Sequence, residues 1–74
     1  MYEHMRGLRE DRDLTQGQVA ELLQVHQTTY SDYERGSGNI PVAALCRLAR
    51  FYNTSIDYLV GLTDERRPYP RRKP

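Results

Sequence analysis

The chain has no tryptophan, a single cysteine and no long run of apolar residues. Cys46 cannot form a disulfide within the chain, and the two histidines, His4 and His26, lack the spacing of a metal site. The apolar runs are far shorter than the roughly 20 residues that span a bilayer. We therefore expect the 74 residues to form one domain, with no membrane contact, stabilised by a small apolar core.

Residue sets that perform catalysis are also missing. The sequence offers no nucleophile–base pair, no paired acids and no glycine-rich phosphate loop. We therefore expect a protein that is not an enzyme, with no cofactor, no metal and no small-molecule ligand. The N-terminal segment is charged and has no apolar signal region, which predicts a cytoplasmic location.

Lysine is missing from residues 1–65, which carry six arginines against ten acidic residues. Residues 66–74 reverse this balance with five basic residues and no acidic one: Arg66, Arg67, Arg71, Arg72 and Lys73. A basic tail suggests a polyanionic partner, although a disordered, solubilising tail explains the same composition. The acidic remainder argues against nucleic-acid binding, because affinity comes mostly from Lys and Arg at phosphates. We assign residues 1–63 to a folded domain and residues 64–74 to a basic, Pro-rich, disordered tail.

Helical periodicity dominates the folded part, and the first two of five predicted helices show it clearly. The first covers residues 2–12, and the second follows Thr15, which is predicted to form a capping box with Gln18. Gly17 lowers helix propensity by roughly 1 kcal/mol relative to Ala, so tertiary packing must hold the second helix. The predicted inner faces contain Met5 and Leu8, then Val19, Ala20 and Leu23.

Three further helices are predicted after a short turn. The third covers residues 27–34 and ends at Gly36 in a left-handed conformation. The fourth is predicted to start with Pro41 as its first residue, and the fifth is predicted to be capped by Ser55 and to end at Gly61. The predicted inner faces contain Tyr30 and Tyr33, then Val42, Leu45, Leu48, Ala49 and Tyr52, then Ile56, Leu59 and Val60.

The order and spacing of four motifs resemble one protein family. These motifs are L-T-Q-x-x-x-A at Leu14, Y-x-x-Y-E-R-G at Tyr30, I-P at Ile40 and S-I-D-Y-L-V-G at Ser55. Together they resemble the lambda-repressor/Cro-like helix-turn-helix family, also called the XRE type, over roughly residues 5–63. The resemblance implies a compact five-helix domain that binds double-stranded DNA, with its third helix in the major groove.

The resemblance implies that four residues of the third helix face base edges: Gln27, Thr28, Ser31 and Asp32. Gln27 is the best candidate for sequence readout, because Gln pairs bidentately with adenine. Thr28 is suited to a thymine methyl group or a phosphate. Asp32 fits cytosine N4, but a solvated acid without a base contact is an equal alternative.

The resemblance also implies contacts to DNA phosphates. The residues expected to make them are Gln16, His26, Arg35, Ser37, Gly38 and Asn39. Gln16 opens the second helix, where free backbone N–H groups favour an anion. The resemblance also implies that its side chain braces the third helix, and an ordinary exposed Gln is the alternative. For His26, a loop histidine without a role is the simpler interpretation.

Three structural features follow from the same resemblance. Arg9 and Glu34 match a salt bridge between the first and third helices, with two independent surface charges as the alternative. Gln24 replaces a usual turn glycine, so either Gln24 is strained by roughly 1–2 kcal/mol or the turn has another shape. Tyr58 and Leu62 are candidates for a homodimer interface.

Two functions therefore compete. The first is a sequence-specific transcriptional regulator, expected to be a repressor, that binds a near-palindromic operator as a homodimer. The second is a protein-interaction module, such as an antitoxin-like partner or an adaptor, that keeps the fold but binds little DNA. The acidic domain and the acid on the predicted reading face favour the second.

Overall fold

The computed structural model describes residues 2–68, which form five α-helices and no β-strand. The helices are α1 (Glu3–Asp11), α2 (Gln16–Leu23), α3 (Gln27–Arg35), α4 (Val42–Tyr52) and α5 (Ile56–Leu59). This is the predicted all-α, five-helix architecture, and the predicted boundaries differ from the observed ones by at most two residues. None of the five helices is long and apolar enough to cross a membrane.

One apolar core is built from all five helices, each of which contributes one or two buried side chains. The buried members are Met5, Leu8, Val19, Ala20, Tyr30, Tyr33, Leu48, Tyr52 and Leu59. These residues belong to the predicted inner faces, which confirms that helical periodicity located the core. Because α1, α4 and α5 pack on the same core, they support α2 and α3 from one side.

Local hydrogen bonds explain where several helices begin and end. Thr15 and Gln18 form the predicted capping box: Thr15 Oγ1 accepts from the Gln18 N–H at 3.1 Å, and Gln18 Oε1 accepts from the Thr15 N–H at 2.8 Å. Ser55 caps α5 by accepting from the Tyr58 N–H at 3.0 Å. Gly36 ends α3 in the predicted left-handed conformation, with φ of 74°.

The start of α4 differs from the prediction. Pro41 has an extended backbone, with ψ of 144°, and it precedes the helix instead of forming its first residue. Val42, predicted to face the core, is 71% exposed. The reason is that burial increases along α4 towards Leu48 and Tyr52, so that the first turn extends past the edge of the core.

The segment that follows α5 contacts the helical domain. The Arg66 carbonyl oxygen accepts a hydrogen bond from the buried Thr54 hydroxyl at 2.6 Å. The Arg66 guanidinium also lies 3.2 Å from the Asp11 carboxylate at the end of α1. The beginning of the predicted tail thus lies against α1 and the α4–α5 loop, whereas Arg71, Arg72 and Lys73 are outside the described residues.

Candidate nucleic-acid interface

The turn between α2 and α3 is tight because Gln24 adopts a left-handed conformation, with φ of 59° and ψ of 42°. The Gln24 N–H donates to carbonyl groups at the end of α2, and the Val25 N–H donates to the Ala20 carbonyl at 3.0 Å. Of the two outcomes that the sequence left open, the strained turn is the observed one. A left-handed non-glycine residue costs roughly 1–2 kcal/mol, which packing of the two helices must offset.

The predicted reading residues lie on the outer side of α3. Gln27 and Thr28 are exposed, and Ser31 and Asp32 are half-buried. Tyr30 and Tyr33, on the opposite side, are buried in the core and meet edge to face, with ring centroids 6.3 Å apart. The core therefore turns a small polar surface of α3 outward, as a helix that enters a DNA groove requires.

A buried ion pair joins the C-terminal end of α3 to α1. Arg9 Nε donates to Glu34 Oε2 at 2.7 Å, and Arg9 Nη2 donates to Glu34 Oε1 at 3.3 Å. Arg9 Nη1 also donates to the Leu14 carbonyl at 2.9 Å. The Glu34 carbonyl in turn accepts from the Tyr2 N–H at 2.8 Å. These contacts support the Arg9–Glu34 salt bridge over two independent surface charges.

Gln16 links the third helix to the N-terminus of α2. Its side-chain Nε2 donates to Glu34 Oε1 at 3.2 Å, so that α1 and α2 both bind the same carboxylate. This arrangement fixes the angle between α2 and α3 through a side chain that also faces the groove described below. Gln16 is therefore more than an ordinary exposed residue.

The charge on Glu34 is stabilised by these donors. Burial raises the pKa of the Glu34 carboxyl, but hydrogen bonds from Arg9 and Gln16, with the positive charge of Arg9, outweigh burial and leave the pKa below its ordinary value. Burial, together with the nearby Glu34 charge, raises the pKa of Tyr52 to about 12 and raises that of Tyr30 further. Glu34 is thus an anion inside the domain, and the two tyrosines are neutral.

A groove runs along the side of the molecule where α1, the N-terminus of α2 and α3 meet. It is lined by Arg6, Arg9, Gln16, Ser31, Glu34 and Arg35. The groove brings together residues predicted for phosphate contact and for base readout. Arg6 was missed by the sequence interpretation, although its place three residues before Arg9 puts both arginines on one side of α1.

The arginines of the groove are all paired with acids. Arg6 Nε lies 3.3 Å from a Glu10 carboxylate oxygen, and Arg9 binds Glu34 as described. Arg35 forms an exposed ion pair with Asp32. Asp32 therefore faces a cation of its own helix, and the three arginines of the groove are matched by three acids, of which only Glu34 lines the groove.

The other predicted contact residues lie outside this groove. His26 precedes α3 and makes no side-chain capping hydrogen bond. Ser37, Gly38 and Asn39 are exposed in the loop after α3, where the Ser37 N–H donates to the Asp32 carbonyl at 3.1 Å. The described residues contain no group of His, Cys, Asp or Glu side chains that could hold a metal ion.

The two predicted interface residues differ in their surroundings. Tyr58 is half-buried and stacks on the His4 ring, with centroids 4.0 Å apart. His4 Nδ1 also lies 3.0 Å from the Tyr58 carbonyl oxygen, and His4 Nε2 lies 3.4 Å from the Asp64 carboxylate. Leu62 is 76% exposed. Leu62 is thus available for contact, whereas Tyr58 already packs within the domain.

Comparison with known proteins gives consistent matches. A family model described as helix-turn-helix matches residues 5–59. The chain is 39% identical over 71 residues to an uncharacterized HTH-type transcriptional regulator, YobD, of Bacillus subtilis, covering 96% of this chain and 63% of that protein. It is also 39% identical over 57 residues to the cryptic phage CTXphi transcriptional repressor RstR of Vibrio cholerae, covering 77% of this chain and 51% of that protein.

A solved structure extends the comparison to three dimensions. The crystal structure of a transcriptional regulator from Listeria innocua superposes with a TM-score of 0.77 at 36% identity, covering 86% of this chain and 60% of that one. The chain thus spans less than two thirds of the length of each of these three relatives. The family match, the left-handed turn and the outward polar surface of α3 agree, and the chain belongs to the XRE-type helix-turn-helix family.

Proposed function

We propose that this chain is a sequence-specific DNA-binding transcriptional regulator that inserts α3 into the major groove. The observation that carries the proposal is the fixed orientation of α3. Its C-terminal end is held by the Arg9–Glu34 ion pair, whose side chains are only 12% and 4% exposed, while its polar side faces outward. A rigid helix with a free polar surface suits the reading of base edges.

Phosphate contacts are proposed in the groove and in the loop that follows α3. In the groove, Gln16 and the free N–H groups of the first turn of α2 suit an anion, and Arg6 lines the same groove. Arg35, which also lines the groove, would exchange Asp32 for a phosphate, with Ser37, Gly38 and Asn39 in the loop after it. His26, before α3, is a further candidate that donates when protonated.

Base readout is assigned to the outer residues of α3. Gln27 is proposed to pair with adenine N6 and N7, and Thr28 to contact a thymine methyl group or a phosphate. Ser31 lies in the groove and is small enough to bind either purines or pyrimidines. Asp32 is proposed to accept from cytosine N4 when Arg35 turns to the DNA backbone.

A homodimer on a near-palindromic operator completes the proposal. One small domain makes few base contacts, and two copies with reading helices about 34 Å apart double them. The exposed Leu62 supports an interface after α5. Similarity to a protein named as a transcriptional repressor supports repression as the direction of control, and a location in the cytoplasm suits this role.

One observation favours the alternative of a protein-interaction module. Because each arginine of the groove is paired with an acid, the groove offers little uncompensated positive charge to DNA. An antitoxin-like partner or an adaptor would need none. Only the DNA-binding function predicts that one DNA sequence is enriched in a selection experiment, so that this measurement distinguishes the two.

Selection from a pool of random DNA duplexes tests the proposal. We expect enrichment of a near-palindromic sequence, with an affinity that falls as salt is raised. The variant Gln27→Ala should lower the affinity for that sequence by about 1–3 kcal/mol, the value of one bidentate base contact. If the full chain enriches no sequence, DNA binding is wrong and the alternative is favoured.

A further inference from the structure

Gly17 occupies the first turn of α2, where its backbone does not require glycine. The residue is helical and is not among those with positive φ. Glycine is one of the least favourable residues in a helix, because it loses the most backbone freedom on folding. We therefore look for the role of Gly17 in its missing side chain.

The space beside Gly17 is filled by the side chain of Gln27. A Cβ atom built on Gly17 would lie 3.2 Å from Gln27 Oε1 and 3.7 Å from Gln27 Cδ. The first distance is shorter than ordinary van der Waals contact, so the amide would have to shift by a few tenths of an ångström to admit a methyl group. The Thr15 hydroxyl, 3.8 Å from the same point, adds a further neighbour.

The missing side chain at Gly17 permits an orientation of Gln27 that a larger residue would exclude. Gln27 is exposed at the first position of α3, and a free Gln side chain samples many rotamers. Bidentate pairing with a base requires one orientation of the amide plane. Gly17 leaves open the space that the amide occupies, so that this orientation is available before DNA is bound, which lowers the ordering cost of recognition.

We propose that Gly17 is a positioning residue that sets the orientation of the Gln27 amide and so determines base preference. The proposal rests on the proposed DNA-binding function, since it concerns how one reading residue of that interface is held. Gly17 itself need not contact a base. Its effect on recognition passes through Gln27.

The test compares two glycine-to-alanine variants in the full chain. Gly17→Ala adds a methyl group against Gln27, whereas Gly7→Ala adds one inside α1, where nothing lies within 4 Å of the new Cβ. The control therefore repeats the change in helix propensity without touching Gln27. Gln27→Ala and the double variant Gly17→Ala/Gln27→Ala complete the set.

Each variant is assayed by selection from random duplexes and by affinity for the wild-type sequence and its single-base changes. We expect Gly17→Ala to reduce discrimination about tenfold at the base pairs that Gln27→Ala also affects, and to leave other positions unchanged. Gly7→Ala should match the wild type. In the Gln27→Ala background, Gly17→Ala should cause no further loss.

Two results would overturn the inference. One is an unchanged base preference for Gly17→Ala. The other is a loss that is uniform across sequences and persists without Gln27, which would indicate a direct clash of the methyl group with the DNA backbone. If the wild-type chain enriches no sequence, the proposed function itself fails, and this outcome is distinct from both.

Discussion

Glu34 binds side chains from two other helices, although its own helix, α3, is exposed on one side. Arg9 of α1 and Gln16 of α2 donate to its two carboxylate oxygens. A buried pair of charges adds little net stability, because desolvation offsets attraction, but loss of one partner leaves an uncompensated charge. The value of this ion pair therefore lies in the orientation that it imposes on α3.

The variant Arg9→Met tests the role of the buried pair in stability. We expect the free energy of unfolding to fall by about 3 kcal/mol, because Glu34 would remain buried without its main partner. Urea unfolding followed by circular dichroism measures the change. Arg6→Met is the matched control, since the Arg6–Glu10 pair is about half exposed and should contribute less than about 1 kcal/mol. Equal losses for both variants would contradict the assignment.

Stability should also depend on pH through Glu34. Because the pKa of this carboxyl is lowered in the folded state, its charge contributes stability that is fully present above the unfolded pKa, about 4.3. The contribution is lost as the pH falls through the lower pKa of the folded state. We expect the urea midpoint to decrease below about pH 4.3 in the wild type, and to decrease less in Glu34→Gln.

The control for this pH dependence is Glu10→Gln, which removes an acid from an exposed pair. Because solvent screens such a pair, the decrease of the urea midpoint at low pH should match that of the wild type. If Glu34→Gln also leaves the pH dependence of the urea midpoint unchanged, the buried carboxylate is not the group whose titration lowers stability.

At the scale of elements, the α2–α3 unit has a strained turn in the middle and a capped helix terminus at each end. The capping box at Thr15 starts α2, and Gly36 ends α3. Between them, Gln24 occupies left-handed space that glycine reaches without cost. The chain accepts this strain because contacts of α2 and α3 with the shared core hold both helices in place.

The variant Gln24→Gly is expected to stabilise the domain by about 1 kcal/mol, because relief of the left-handed strain exceeds the entropy that glycine adds to the unfolded chain. Thermal and urea unfolding measure the effect. Glu21→Gly serves as the control within α2, and it should destabilise by about 1 kcal/mol, since its helical position gains nothing from glycine. A loss of stability in Gln24→Gly would show that the Gln24 side chain has a further packing role.

At the scale of the whole molecule, the reading helix and the proposed dimer contact belong to different parts of one small domain. Leu62 follows α5 and is 76% exposed. Its N–H donates to the Asp57 carbonyl at 2.8 Å, which fixes the backbone at this point. A large apolar side chain on an ordered segment is suited to burial against a second copy.

Replacement of Leu62 tests this interface. We expect the wild-type chain to dimerise and Leu62→Ser to raise the dimer dissociation constant at least about tenfold, because a Leu side chain is lost from both sides of a symmetric contact. Sedimentation equilibrium measures the constant. Val42→Ser is the matched control, since Val42 is also apolar and 71% exposed but lies at the start of α4. A wild-type chain that stays monomeric would contradict the homodimer.

Structural features that depend on residues close together in the sequence were predictable from the sequence. The capping box at Thr15, the left-handed Gly36 and the Ser55 cap each depend on hydrogen bonds to near neighbours. The apolar stripe of α4 was predicted less well, because periodicity identifies a face but not how far the core extends along it. Val42 is exposed for this reason.

Features that join distant residues needed the folded molecule. The Arg9–Glu34 pair was implied only by resemblance to a family, and periodicity alone gives no partner for either residue. The bracing of α3 by Gln16 was likewise implied by the resemblance, but its partner Glu34 was not. The place of Arg6 in the groove and the position of Gln27 beside Gly17 depend on the angle between helices.

The sequence by itself determined the number of helices, most of their ends and most of the core, because helix propensity, caps and periodicity depend on neighbouring residues. Only the tertiary structure decided the left-handed geometry of Gln24, the placement of Arg6 and the packing of Gln27 on Gly17. Their physical cause is the packing of α1, α2 and α3 on one core, which brings together side chains that are separate in the sequence.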